Sequence, residues 1–167
     1  MKKNIIWAIA AVLAVVLFYA GKDKLQGDAL AKQDNAAYDF SLKSLDGKII
    51  RLSDFKGKVV ILDFWATWCP PCKAEIPSFV SLYNKLGKDG LVIIGAAVDE
   101  PGRVAQFVKD NSVTYPVVLP DQTVTDAYGG IRGIPTTFVI DKRGKIVRSY
   151  TGYRPEMVFE SDFNTYK

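Results

Sequence analysis

The sequence feature that most constrains the fold is a continuous apolar run at Val59–Trp65, interrupted by a single carboxylate at Asp63. A short apolar run without alternation is typical of a strand that is buried on both faces of a sheet. Cys69 lies shortly after this run, and Pro70 follows it directly. Apolar residues then recur at helical spacing until Gly87. Proline favours the first helical position, and glycine commonly follows the last. The sequence therefore predicts a central strand that leads into a helix beginning beside Cys69.

Strands and helices alternate along the rest of the chain. The other predicted strands cover residues 38–42, 48–52, 91–98, 115–119, 136–140 and 145–150. The other predicted helices cover residues 101–111, 122–128 and 155–166. The first two strands flank Asp46-Gly47, a strong hairpin signal. This order predicts an α/β fold with a mixed central sheet flanked by helices and an N-terminal β-hairpin extension.

The N-terminus carries a targeting or anchoring segment. Residues 5–20 contain no charge and follow Met1-Lys2-Lys3. At about 1.5 Å per residue the run spans roughly 24 Å of helix, against about 30 Å for the hydrocarbon core of a bilayer. Its length therefore fits both an uncleaved anchor and the apolar core of a signal peptide.

The residues after the apolar run favour the anchor. Signal peptidase prefers small side chains at the last and third-last positions before the cut, and cleavage after Ala20 places Phe18 at the third-last. Ala29-Leu30-Ala31 fits that preference, but it lies further from the apolar run than is usual. We therefore expect the segment to stay attached, with cleavage as the alternative.

Charge and polarity predict how the chain is arranged across the membrane. Lys2 and Lys3 precede the apolar run, so the positive-inside tendency places the N-terminus in the cytoplasm. We expect a single-pass anchor over residues 1–21 in the inner membrane, a polar tether over 22–36 and a folded periplasmic domain over 37–167. The alternative is a secreted periplasmic protein released by signal cleavage.

The composition excludes several classes of function. Histidine is absent, which excludes a Cys–His nucleophile dyad, a histidine metal ligand and a histidine general base. Two cysteines alone do not complete a common four-ligand zinc site. The net charge is +4, and the basic residues are scattered, which argues against nucleic-acid binding. We therefore expect no cofactor, no metal and no nucleic-acid partner.

The chemistry is concentrated in Trp68-Cys69-Pro70-Pro71-Cys72, at the junction of the predicted strand and helix. This spacing allows a small disulfide ring across one helical turn, and the helix dipole favours a thiolate at Cys69. We expect Cys69 to be exposed and to attack a partner disulfide, and Cys72 to release the product. Structural disulfides and zinc knuckles use the same spacing. They are disfavoured because no second ligand pair exists and so short a loop stabilises little.

Two acids and a tryptophan lie near this motif. Asp63 interrupts the apolar strand, and burial should raise its pKa and make it a proton acceptor for Cys72. Glu75 follows Cys72 by three residues; it is either an acid that serves the disulfide or a solvated first-turn glutamate that the helix dipole favours. Trp68, beside Cys69, is predicted to form part of a partner-docking face.

Two segments resemble those of a known family. Residues 62–73, LDFWATWCPPCK, resemble the active-site segment of thioredoxins, and residues 130–136, GIRGIPT, resemble their cis-proline loop. The early hairpin, the longer segment between the motifs and the N-terminal segment resemble bacterial extracytoplasmic thioredoxins of the TlpA and ResA type. The resemblance covers roughly residues 38–166 and implies a thioredoxin fold.

The resemblance implies a role for each matching residue. Cys69 matches the nucleophile and Cys72 the resolving thiol. Pro135 matches the cis-proline that packs against the disulfide, and the backbone of Ile134 is available to pair with a substrate strand. Asp63 matches the buried acid of thioredoxin. Glu75 matches an acid that ResA-like proteins carry near the disulfide.

The resemblance also implies an activity. The implied activity is thiol:disulfide exchange between the dithiol of this chain and disulfides of extracytoplasmic proteins. The chain would act as a reductant, in cytochrome c maturation. The implied partners are protein substrates and a membrane electron donor of the thiol-reductase type, and we expect a monomer. Pro70 and Pro71 do not fix the direction, so a disulfide oxidant or isomerase is an alternative. A peroxiredoxin-like antioxidant enzyme is disfavoured, because Leu62 and Ala66 stand where those enzymes carry Pro and Thr.

Overall fold

The structure is a computed structural model that describes residues 35–167. The predicted membrane segment, residues 1–21, and residues 22–34 of the predicted tether lie outside the described residues. Within the described part, no helix is both long and apolar enough to cross a bilayer. The first described residue is joined to the fold, because the Asn35 carbonyl accepts a hydrogen bond from the Ile146 N–H at 2.8 Å.

Strands and helices follow one another in the order that the sequence predicts. The strands are β1 Ser41–Lys43, β2 Ile49–Arg51, β3 Val59–Trp65, β4 Leu91–Ala97, β5 Val117–Val118, β6 Thr136–Ile140 and β7 Ile146–Thr151. The helices are α1 Pro70–Leu86, α2 Pro101–Asp110, α3 Gln122–Ala127 and α4 Glu156–Tyr166, with 3₁₀ turns at Leu52–Phe55 and Gly87–Asp89. The predicted elements are confirmed, with small differences at their ends.

The main sheet of the described residues is mixed, as predicted. Its strand order is β5-β4-β3-β6-β7, and β1 and β2 form a separate hairpin. The pairs β3–β4 and β4–β5 are parallel, whereas β3–β6 and β6–β7 are antiparallel. Parallel pairing needs a crossover, which α1 supplies between β3 and β4. This arrangement confirms the thioredoxin fold and puts β3 at the centre.

The side chains of β3 alternate between two hydrophobic cores, because successive residues of a strand point to opposite faces of the sheet. Ile61 and Trp65 pack with the buried face of α1 and with α4. Leu62 and Phe64 pack on the other face, with the hairpin and α3. All seven residues of β3 are buried. Asp63 shares the face of Ile61 and Trp65, so its carboxyl group lies on the side of the sheet that α1 covers.

Candidate active site

Cys69 and Cys72 form a disulfide at the start of α1, with their Cα atoms 5.3 Å apart. Cys69 is the N-cap of the helix, and its Sγ accepts a hydrogen bond from the Cys72 backbone N–H at 3.3 Å. Pro70 occupies the first helical position, where an N–H would have no partner within the helix. The helix therefore presents its positive end to the Cys69 sulfur, which favours a thiolate once the disulfide is reduced.

The structure corrects the expectation that Cys69 is exposed. Only 3% of Cys69 is accessible, and Cys72 is fully buried. The reason is a loop distant in sequence, since the Ile134 carbonyl oxygen lies 3.7 Å from the Cys69 Sγ. Trp68, by contrast, is 61% exposed. The disulfide is therefore flanked by an exposed tryptophan at Trp68 and by the covering loop at Ile134.

The loop beside the disulfide contains a cis peptide bond between Ile134 and Pro135. The cis conformation that the resemblance implied for Pro135 is thus present. The Pro135 carbonyl accepts a hydrogen bond from the Gly152 N–H at 2.8 Å, and the Thr136 hydroxyl donates to the Gly133 carbonyl at 2.7 Å. The first bond joins the loop to the residue that follows β7, and the second closes the loop on itself.

Asp99 fixes the segment between β3 and α1, although the sequence interpretation did not single it out. Its Oδ2 accepts hydrogen bonds from the Thr67 backbone N–H, at 3.1 Å, and from the Thr67 hydroxyl. The hydroxyl bond is the main reason that the pKa of Asp99 is lowered. Because Thr67 immediately precedes Trp68, this contact positions the exposed tryptophan. It joins residues 32 apart in sequence, and no local pattern announces it.

Asp63 is buried in the centre of the sheet, with 1% of its surface accessible. The Thr137 hydroxyl, opposite it on β6, donates a hydrogen bond to Asp63 Oδ1 at 3.0 Å. Burial raises the pKa of Asp63 well above its usual range, and the nearby Glu75 raises it further. The Thr137 hydrogen bond acts in the opposite direction and is the weaker influence. Asp63 therefore holds a proton at pH values where an exposed aspartate is ionised.

Glu75 is fully buried, which rules out the solvated first-turn glutamate. Its Oε1 accepts a hydrogen bond from the Arg154 backbone N–H at 2.8 Å. Burial raises the pKa of Glu75 to about 7, although the Arg154 N–H and the Arg154 charge both act to lower it. A carboxyl group with this pKa exchanges a proton readily near neutral pH.

The two acids belong to one electrostatic site beneath the disulfide. Glu75 follows Cys72 by less than one turn of α1, and Asp63 lies on the sheet face that α1 covers. The charge of Glu75 raises the pKa of Asp63, so ionisation of Glu75 disfavours ionisation of Asp63. The site can therefore accept and return one proton next to a sulfur atom that bulk water does not reach.

Two further buried polar groups were missed as site residues. The sequence predicts only that Trp65 ends the buried central strand and that Tyr115 begins another strand. Among residues 35–167, neither Trp65 Nε1 nor Tyr115 OH has a hydrogen-bond partner, and both atoms are buried. Neither residue type carries a sequence signal for this role, because aromatic side chains in apolar segments usually belong to the core.

The AhpC/TSA family matches residues 34–149. The chain belongs to this family. Two of its relatives are both named thiol-disulfide oxidoreductase ResA. The protein from Halalkalibacterium halodurans is 38% identical over 156 residues, which cover 92% of this chain and 88% of that protein. The protein from Bacillus subtilis is 38% identical over 151 residues, which cover 89% of this chain and 80% of that protein.

A solved structure of a thioredoxin-family protein also resembles this chain. The thioredoxin-family thiol:disulfide interchange protein from Chlorobium tepidum superposes with a TM-score of 0.76 at 33% identity. The match covers 80% of this chain and 97% of that one. The resemblance to thioredoxin-like thiol:disulfide oxidoreductases, drawn from residues 62–73 and 130–136, is confirmed.

Proposed function

We propose that this chain reduces disulfide bonds in proteins outside the cytoplasm, using the Cys69–Cys72 pair as a two-electron carrier. The observation that carries the proposal is the disulfide itself, which caps α1 beneath the Ile134–Pro135 loop and above two buried acids. Structural disulfides do not need groups that move protons. A site that breaks and forms its disulfide does, because each thiol must lose its proton before it attacks.

The first step uses Cys69. In the reduced protein, the Cys69 thiolate attacks one sulfur of a substrate disulfide, so that a Cys69–substrate bond forms and the substrate's own bond breaks. The second substrate sulfur leaves as a thiolate and takes up a proton. The N-terminus of α1 and the Cys72 backbone N–H stabilise the charge on the Cys69 sulfur before the attack.

The second step uses Cys72 and the buried acids. Cys72 must lose its proton to attack Cys69, yet it is fully buried and water does not reach it. Glu75 or Asp63, as a carboxylate, accepts this proton. The Cys72 thiolate then forms the Cys69–Cys72 disulfide and releases the substrate as a dithiol. Two electrons have passed from this chain to the substrate.

The substrate is held by groups on either side of the disulfide. Trp68 offers an exposed aromatic surface beside Cys69. The backbone at Ile134 offers hydrogen bonds to an extended substrate segment, as at the edge of a sheet. Selection then depends on main-chain pairing more than on a deep pocket, which suits an enzyme whose substrates are unfolded or partly folded chains.

The direction and the partners form the finer part of the proposal. Residues 1–21 would anchor the chain in the inner membrane, so that residues 37–167 act in the periplasm as a monomer. Regeneration of the dithiol there requires a membrane electron donor of the thiol-reductase type. Apocytochrome c is a suitable substrate, because haem attachment consumes free cysteine thiols.

Reduction of insulin by dithiothreitol tests the proposal. The full chain is expected to accelerate precipitation of the insulin B chain, and the Cys69→Ser and Cys72→Ser variants are expected to lose that acceleration. A wild-type chain with no effect would mean that the disulfide is structural and that the domain only docks. The reduction potential of the cysteine pair then separates a reductant from an oxidant or isomerase, since a potential as high as those of strong oxidants contradicts the proposed direction.

A further inference from the structure

Three buried polar atoms in the core between α1 and the sheet lack hydrogen-bond partners among residues 35–167. They are Trp65 Nε1, Glu75 Oε2 and Tyr115 OH. Buried polar groups in folded proteins are nearly always paired, with protein atoms or with a trapped water. The set is also complementary, because the indole and the phenol are donors and the carboxylate oxygen is an acceptor.

The sheet brings two of these groups together. Gly95 lies opposite Asp63 in the β3–β4 register, on the face that α1 covers. A Cβ atom on Gly95 would lie 2.9 Å from Trp65 Nε1 and 3.2 Å from Tyr115 Cε2. The indole nitrogen and the edge of the tyrosine ring therefore both lie against Gly95, in space that a larger side chain at this position would need.

Helix α1 completes the cluster. The Tyr115 ring packs edge-on against Phe79, with centroids 6.3 Å apart, and against Tyr83 at 6.2 Å. Glu75 precedes Phe79 by one helical turn and so shares its face. The phenol of Tyr115 consequently lies between α1 and the sheet, on the same side as the Glu75 carboxyl group.

We propose that Tyr115 is a positioning residue for Glu75, whose Oε2 is linked to the Tyr115 hydroxyl and the Trp65 indole N–H by one shared buried water. A water molecule accepts two hydrogen bonds and donates two, so it can take both donors and donate to the carboxylate. This inference rests on the proposed function only in that Glu75 handles the Cys72 proton.

The arrangement makes Tyr115 a permanent donor. Burial raises the pKa of Tyr115 well above its usual range, and the charges of Asp63 and Glu75 raise it further, so the phenol stays protonated. Donation through the water favours the ionised form of Glu75. The other groups that influence Glu75 are Asp63 on β3 and the Arg154 N–H and side chain before α4. Tyr115 therefore offsets part of the burial that raises the pKa of Glu75.

The test is a pH titration of Glu75 in the full-length Tyr115→Phe variant. Infrared spectroscopy of ¹³C-labelled glutamate monitors the ionisation of its carboxyl group. The variant keeps the ring and removes only the hydroxyl. The expected result is an upward shift in the pKa of Glu75 of about half to one unit, the size of one lost hydrogen bond. Tyr83→Phe is the matched control. It removes a hydroxyl from a half-buried residue that packs against Tyr115 and lies on the helix of Glu75, and no shift in the pKa of Glu75 is expected.

A second measurement needs no change at Tyr115. In the wild-type chain, the Trp65 indole proton resonance is expected to move with a midpoint near the pKa of Glu75, and this movement is expected to vanish in Glu75→Gln. An indole resonance that does not titrate there, or an unchanged or lowered Glu75 pKa in Tyr115→Phe, would overturn the proposal. These results are independent of insulin reduction. An inactive wild-type chain whose Glu75 still responds to Tyr115→Phe would refute the proposed function and leave this inference standing.

Discussion

The Glu75 carboxylate accepts a hydrogen bond from the Arg154 backbone N–H at 2.8 Å, across 79 residues of sequence. The bond fixes the carboxyl group of α1 against the segment that joins β7 to α4. Glu75 is fully buried at this contact. The same contact that positions the acid thus helps to desolvate it, and desolvation dominates its pKa.

Stability should depend on pH through Glu75. Its pKa is about 7 in the folded chain and 4.5 in an exposed glutamate, so the folded state holds the proton more tightly. The unfolding free energy should therefore fall as the pH rises through this window, by on the order of 3 kcal/mol in total from this group. Asp63, whose pKa is also raised, acts in the same direction. Urea denaturation of the wild-type chain at pH 5 and pH 8 measures the fall.

Glu75→Gln separates this contribution from the rest. The amide oxygen of glutamine can still accept the Arg154 hydrogen bond, but the side chain no longer ionises. The variant should lose much of the stability difference between the two pH values. Glu100→Gln, at the exposed N-cap of α2, is the matched control and should keep the wild-type difference. Identical pH dependence in Glu75→Gln and the wild type would show that Glu75 is not the titrating group.

Asp63→Asn should slow the resolution of a mixed disulfide by about 10- to 100-fold while leaving the domain folded. Asparagine keeps the shape of aspartate and can still accept the Thr137 hydrogen bond, but it cannot take the Cys72 proton. Rapid quenching with acid and mass spectrometry give the lifetime of the mixed disulfide between pH 6 and 9. An unchanged lifetime across that range would remove Asp63 from the mechanism and leave Glu75 as the acceptor of the Cys72 proton.

Gly95→Ala should destabilise the fold by about 1–3 kcal/mol, because the new methyl group meets Trp65 Nε1 at 2.9 Å in a closely packed core. Gly102→Ala is a suitable control. Gly102 lies in the first turn of α2, and a Cβ there meets nothing within 4 Å. Alanine at that position should be neutral or slightly stabilising. Thermal unfolding of both variants is the measurement, and equal midpoints would contradict the described packing around Gly95.

Much of the fold could be predicted from local patterns. The apolar run at Val59–Trp65 coincides with β3, and Pro70 and Gly87 mark the start and the cap of α1. The site was less accessible to such reasoning. The burial of Cys69 depends on a loop 65 residues away, and that of Glu75 on a segment 79 residues away. Long-range contacts of this kind leave no periodicity in the sequence, so exposure was predicted where the structure has a covered sulfur.

The membrane segment remains a prediction. Residues 5–20 lack a good cleavage site at their end, so the native chain should be found in the membrane fraction with its original N-terminus. We expect the tether of about fifteen residues to reach roughly 20 Å as a coil and so to keep the domain near the bilayer. A shortened chain that begins at Lys22 should retain activity toward a small disulfide but show lower turnover in cells. A soluble native form that starts near Lys32 would show that the segment is a signal peptide.

Trapping of the mixed disulfide shows whether Cys69 is the attacking thiol and Cys72 the resolving thiol. The reduced Cys72→Ser variant, mixed with a disulfide-containing protein, should accumulate a one-to-one covalent complex through Cys69 that dithiothreitol releases. The reduced Cys69→Ser variant, whose remaining thiol is fully buried, should form little or none. A complex formed equally well through Cys72, or no complex with either variant, would show that these roles are wrong.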